Sequence, residues 1–131
     1  MSKPVILCVD DEVFILETLE RQLKRAFKNN YIYEFAESGD EALEIIEELY
    51  QNNVDIIVIV SDWLMPGLRG DEFLIAVHRN FPNTIKIILT GQADESAIER
   101  VQAQANLYSY LQKPWENDEL IEVIKSGLAT Q

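Results

Sequence analysis

Histidine and cysteine are almost missing from this 131-residue chain, which has one of each, His78 and Cys8. A lone cysteine closes no internal disulfide, and there is no Cys/His cluster for structural zinc. One histidine gives no support to a His-based metal triad or a Ser-His-Asp hydrolase. Basic residues are scarce as well. Lys plus Arg number 11 against 23 Asp plus Glu, a net charge of −12. That balance argues against direct binding to a nucleic-acid backbone or an anionic membrane, since either needs clustered Lys/Arg. No apolar run approaches the roughly 20 residues of a membrane span. The start, MSKPVILCVDDE, has no long apolar segment and is no secretory signal. A reducing cytoplasm is therefore the expected compartment.

What is present is globular. Hydrophobic residues make up 47% of the chain, which excludes wholesale disorder. The length suits one core, so residues 1–131 are expected to form a single domain. Short β-branched runs alternate with helical patterns. Val5 to Val9 reads as a buried strand, followed by Leu16, Leu19, Leu23, Ala26 and Phe27 at helical spacing. Tyr31 to Ala36 reads as a second strand. Ser38 and Glu41 form a capping-box signature ahead of the stripe Ala42, Leu43, Ile46, Leu49 and Tyr50.

Asp55 to Val60 is apolar on both faces, as a central parallel strand must be. A loop with Pro66, Gly67 and Gly70 follows, then a short helix through Phe73, Leu74 and Val77. Ile85 to Leu89 is the fourth strand, and Ala97, Val101 and Ala105 mark an Ala/Gln-rich helix. Leu107 to Leu111 is the fifth strand. Asn117 is the expected cap of a last helix with Leu120, Ile121, Ile124 and Leu128 inward. Five β-α units predict an α/β fold: a doubly wound, five-stranded parallel sheet of the flavodoxin-like order 2-1-3-4-5, with five helices.

In such sheets ligands sit beyond the carboxyl ends of the strands. Asp10, Asp11 and Glu12 follow the first strand, Asp62 the third, Thr90 the fourth and Lys113 the fifth. Carboxylates brought together there repel unless a cation joins them. A hard divalent ion, Mg²⁺ or Mn²⁺, suits an all-oxygen donor set. Asp62, at the end of the central strand, is placed as a nucleophile able to accept a phosphoryl group. Lys113 and the Thr90 hydroxyl would then meet the phosphoryl oxygens.

Taken in order, the motifs VDDE, SDWLMPGLRG, LTG and YLQKP resemble those of the receiver domain of two-component response regulators, along essentially the whole chain. The resemblance implies a role for each matching residue. Asp62 is the phosphoacceptor. Asp11 ligates the metal directly, Asp10 largely through water, and the backbone carbonyl of Leu64 adds a ligand alongside Asp62. Lys113 pairs with the phosphoryl group. Thr90 and Tyr110 are the switch pair, the aromatic turning inward as the threonine moves toward the phosphate. The Lys113–Pro114 bond is expected to be cis. The phosphoryl donor is a histidine kinase or a phosphotransfer protein, and phosphorylation shifts a pre-existing equilibrium.

The resemblance also carries expectations about output. LTGQAD and YLQKPW look like receivers fused to cyclic-dinucleotide phosphodiesterases or kinases rather than to DNA-binding domains. Homodimerisation on phosphorylation through the fourth helix, fifth strand and fifth helix is a family habit. Two departures stand out. Asn106-Leu107 replaces the frequent Gly-Ala lead-in to the fifth strand, and asparagine tolerates positive φ. Apolar Leu64 offers no side-chain hydrogen bond to an attacking water, so autodephosphorylation is expected to differ from that of members with a polar residue there. The Trp63, Trp115 and His78 side chains read as residues of the core edge or the solvated surface.

Other functions on this fold fit less well. A phosphatase of the haloacid-dehalogenase kind wants Asp-x-Asp, but Trp63 and Leu64 follow Asp62. A flavin site wants a Ser/Thr/Gly-rich loop where this chain has Asp10, Asp11 and Glu12. A phosphorylation-independent interaction module would lack one of the site residues, and all five stand in place. The expected protein is a signalling receiver, not an enzyme beyond its own phosphorylation and slow dephosphorylation.

Overall fold

The computed structural model describes residues 3–63, 65, 67–91 and 95–130. The order of elements is β1 (Val5–Val9), α1 (Val13–Phe27), β2 (Ile32–Ala36), α2 (Gly39–Gln51), β3 (Ile56–Asp62), α3 (Gly70–Asn80), β4 (Ile85–Thr90), α4 (Glu95–Ala105), β5 (Ser109–Gln112) and α5 (Asn117–Ala129). A single turn of 3-10 helix, Lys28–Asn30, follows α1. The five strands are parallel and lie in the order β2-β1-β3-β4-β5.

Alternation along the strands divides the core in two. Ile6, Cys8, Val58, Val60, Ile87 and Leu89 meet α1 and α5, while Val5, Leu7, Val9, Ile59 and Ile88 meet α2, α3 and α4. Both faces of β1, β3 and β4 are covered, which is why these strands are predominantly apolar on both sides. Asp62 is the last residue of β3 and pairs in register with Leu89 of β4. The strand thus runs two residues beyond Val60, and its hydrogen-bond ladder holds the Asp62 backbone.

Local chemistry explains several boundaries. Ser38 caps α2 by accepting from the Glu41 N–H at 3.0 Å. The cap of α5 is Glu116 rather than Asn117. Glu116 and Glu119 form a reciprocal capping box, with Glu119 Oε1 accepting from the Glu116 N–H at 3.3 Å. Asn117 is the first helical residue instead. Asn106 takes φ +52°, the left-handed conformation that asparagine tolerates. β5 begins at Ser109, later than Leu107, because Asn106 turns the chain. Tyr108 N–H still reaches the Lys86 carbonyl at 2.9 Å.

Two side chains depart from expectation, and Trp115 lies at the core edge as expected. Lys86, inside the apolar-looking run of β4, is fully buried and donates from Nζ to the Thr84 carbonyl at 2.9 Å. Burial lowers its pKa from 10.5 to about 8. His78 is half-buried rather than solvated, and its Nδ1 is buried without a hydrogen-bond partner among the described residues. Burial and the nearby Lys86 charge both push its pKa down. Trp115 is tied to α1, its Nε1–H donating to Gln22 Oε1 at 2.9 Å. Cys8 is a buried core residue, as expected of a small hydrophobe.

Candidate functional site

The carboxyl ends of β1 and β3 bring three acids together. One carboxylate oxygen from each of Asp10, Asp11 and Asp62 lies within 4.8 Å of the others. Asp10 is fully buried and Asp62 is 6% exposed, while Asp11 faces solvent. Asp10 Oδ1 accepts from the Glu12 N–H at 2.9 Å. That bond folds the chain back between β1 and α1 and leaves Oδ2 for Lys113.

Lys113 reaches the acids from the end of β5. Its Nζ lies 2.9 Å from Asp10 Oδ2 and 3.1 Å from Asp62 Oδ1. Lys113 N–H donates to the Thr90 carbonyl at 2.8 Å, so β4 fixes the backbone from which the side chain extends. The Lys113–Pro114 peptide is cis.

One ammonium between two buried carboxylates leaves the charge unbalanced. Burial first, and the neighbouring Asp10 charge second, raise the Asp62 pKa from 3.8 to about 6 in balance with Lys113. Lys113 opposes both, by charge and by hydrogen bond, and the exposed Asp11 adds a smaller push upward. Burial also works against the Lys113 charge, but the bonds and charges of Asp10 and Asp62 outweigh it and lift that pKa above its usual value. The cluster would gain from a further cation. The donor set is carboxylate oxygen only, which fits a hard divalent ion of the Mg²⁺ or Mn²⁺ kind.

The loop after Asp62 is closed by a glycine. Trp63 N–H donates to the Leu89 carbonyl, and the Trp63 carbonyl accepts from Gly70 N–H, both at 2.9 Å. A Cβ on Gly70 would lie 2.1 Å from the Asp62 carbonyl oxygen, so only glycine allows this approach. Thr90 ends β4 at 1% exposure, one residue beyond the register partner of Asp62. Tyr110 of β5 is 46% exposed, pairing in register with Ile88. Thus Asp10, Asp11, Asp62 and Lys113 converge, with Thr90 at the adjoining strand end and Tyr110 facing outward. Leu64 lies outside the described residues, as does Gln92.

Sequence reading missed a second ionic cluster beside the first. Asp71 in the first turn of α3 is 1% exposed and pairs with Arg69 and Arg100. In the run RGDEF it reads only as a helix-start acid. Arg100 reaches it from α4, which packs against α3.

A five-stranded parallel sheet with an acidic pocket and a lysine at the carboxyl ends of its strands is the arrangement of the receiver class that the sequence motifs resemble. Residues 6–125 match the family described as the response regulator receiver domain. The chain belongs to that family. It is 33% identical over 130 residues to the hydrogenase transcriptional regulatory protein HoxA of Cupriavidus necator, covering 99% of this chain and 25% of HoxA. It is 30% identical over 126 residues to the sensor kinase CckA of Brucella abortus, covering 96% of this chain and 13% of the kinase. The chain thus spans about a quarter or less of these relatives. Among solved structures, the signal receiver domain of an HD domain-containing protein from Pseudomonas fluorescens superposes with TM-score 0.85 at 28% identity, covering 98% of this chain and 96% of the other. A CheY-like receiver domain protein from Methanospirillum hungatei gives 0.86 at 29% identity, covering 98% and 96%.

Proposed function

We propose that Asp62 is the phosphoacceptor of this receiver domain, taking its phosphoryl group from a phosphohistidine on a histidine kinase or phosphotransfer protein. The observation that carries the reading is the convergence of Asp62 with Asp10, Asp11 and the bridging Lys113. In the reaction an Asp62 carboxylate oxygen attacks phosphorus. The P–N bond to the donor imidazole breaks, and its electron pair stays on the imidazole nitrogen. The product is an acyl phosphate on Asp62 and a free donor histidine. The attacking oxygen needs no base, because it is already ionised above about pH 6.

Asp10, Asp11 and Asp62 would hold Mg²⁺ or Mn²⁺, with the backbone carbonyl of residue 64 as an expected further ligand. When bound, the ion supplies positive charge to the acids and to the phosphoryl oxygens. Lys113 exchanges its contact with Asp62 for one with a phosphoryl oxygen, keeping Asp10 as its anchor. Thr90 would bond the phosphoryl group, and Tyr110 would turn inward from its exposed position. An apolar groove of about 300 Å³ beside Lys113, walled by Phe14, Ile15, Pro114 and Trp115, offers the donor protein a place to rest.

The chain would act as one domain over residues 1–131, in the cytoplasm. Its effector would be a fused or separate output domain, and pairing of two copies would run through α4, β5 and α5. The relatives' names span transcriptional regulators and a sensor kinase, and the structural neighbours include an HD domain-containing protein. The favoured output is of the phosphodiesterase or kinase type, with a transcriptional regulator of the HoxA kind as the alternative. Incubation with Mg²⁺ and acetyl phosphate tests the site. One phosphoryl mass per chain, lost in Asp62→Asn and on chelation, is the expected result. No modification, or modification elsewhere, would overturn it.

A further inference from the structure

Asp71 is a deeply buried carboxylate that the phosphorylation chemistry does not use. Its Oδ2 accepts from Arg69 Nη2 and from Arg100 Nη1, each at 3.3 Å. Its Oδ1 is buried with no hydrogen-bond partner among the described residues. Arg69 also bonds Glu72 Oε1 at 3.0 Å and stacks over the Trp63 ring, 5.4 Å from its centroid. Trp63 is the covalent neighbour of Asp62, and both its backbone groups are engaged. Contacts therefore run without a gap from the phosphoacceptor strand through Trp63, Arg69 and Asp71 to Arg100 on α4.

The energetics give this path a mechanical meaning. A carboxylate at 1% exposure depends on its two guanidinium partners, each about half exposed. Movement of α4 away from α3 would take Arg100 with it and leave the buried acid to Arg69 alone. The bridge occurs here together with Asp62 bonded directly to Lys113 and with Tyr110 exposed. That is the arrangement expected before modification.

We propose that the Asp71–Arg100 pair is a latch that ties α4 to the phosphoacceptor loop in the unmodified arrangement. Modification of Asp62 and displacement of α4 are thereby coupled along the side of α3, separately from Thr90 and Tyr110. The proposal rests on the receiver reading of Asp62. The test compares wild type, Arg100→Gln, Asp71→Asn and the double variant. Amide hydrogen exchange over α4 is measured by mass spectrometry. Beryllofluoride is titrated in excess Mg²⁺, with tryptophan fluorescence as the signal.

Arg100→Gln, at the solvent side of the pair, should speed exchange in α4 and tighten beryllofluoride binding about fivefold. Adding Asp71→Asn should change little more, because the two residues act as one contact. Unchanged α4 exchange, unchanged or weaker beryllofluoride binding, or effects that simply add would overturn the latch. If wild type itself ignores beryllofluoride, the receiver reading falls instead. The α4 exchange of Arg100→Gln would still decide whether the bridge holds that helix.

Discussion

Two buried carboxylate clusters flank the loop that follows β3, and they are built on opposite charge balances. At the sheet edge, Asp10, Asp11 and Asp62 share the single ammonium of Lys113. Beside α3, the single buried acid Asp71 has two arginines. The difference shows in the acids. Asp62 is pushed up to about pH 6 by burial and by its acidic neighbours. A cluster short of positive charge is poised to take a cation or a proton, and a cluster well supplied with it is suited to hold two helices together. Burial alone does not separate these roles, since Asp10 and Asp71 are equally hidden.

The largest expected effect breaks the first cluster. Asp62→Asn should abolish phosphorylation from acetyl phosphate, followed by intact mass. The same substitution should stabilise the metal-free protein at neutral pH, by on the order of 3 kcal/mol. The sign follows from a folded-state pKa above the unfolded value of 3.8. The protonated Asp62 supports the fold at low pH, and that support is lost as pH rises through about 6. Denaturant titrations with chelator between pH 4 and 7 should show this slope in wild type and a shallower one in Asp62→Asn.

Next in size is Gly70→Ala, which strikes the loop that joins the two clusters. Its Cβ would meet the Asp62 carbonyl at 2.1 Å, so the backbone must move. A loss of about 2 kcal/mol or more in a urea melt is expected, together with slower phosphorylation. A variant as stable and as reactive as wild type would show that the loop yields freely.

A separate pH effect belongs to a buried charge in neither cluster. Lys86 has a folded pKa of about 8, below its ordinary 10.5. The unfolded chain therefore binds more protons between those values, and stability should rise with pH across that window. Lys86→Met should flatten the rise, and a chemical-denaturation series from pH 7.5 to 10.5 reads it directly. The smallest effect is Lys24→Ala on the exposed helix pair with Glu20, 2.8 Å apart. A change within about 0.5 kcal/mol sets the scale of an ordinary surface bridge against the buried clusters.

The first cluster was legible in the sequence and the second was not. Asp10, Asp11, Asp62 and Lys113 each follow an apolar run, and the parallel topology carries every strand end to the same edge. Asp71 follows a glycine at the start of a helix, a place where acids usually face water. Lys86 sits one residue into a strand whose neighbours are all apolar, and period-two alternation cannot say where a flexible four-carbon stem ends. The α5 cap was misplaced by one residue because Asn117 and Glu116 both stand at the helix start, and only the reciprocal Glu119 bond chooses between them.

By itself the sequence determined the alternation of strands and helices, the strand order and the edge at which the acids collect. These follow from short-range periodicity and from the handedness of β-α-β crossovers, which act on any chain with this pattern. Tertiary structure decided how each charge is balanced. Lys113 bridges Asp10 and Asp62 across more than fifty residues of chain, and Arg100 meets Asp71 only because α4 lies against α3. Electrostatic energy depends on distance through space and on burial, and neither is written in the spacing of residues along a chain.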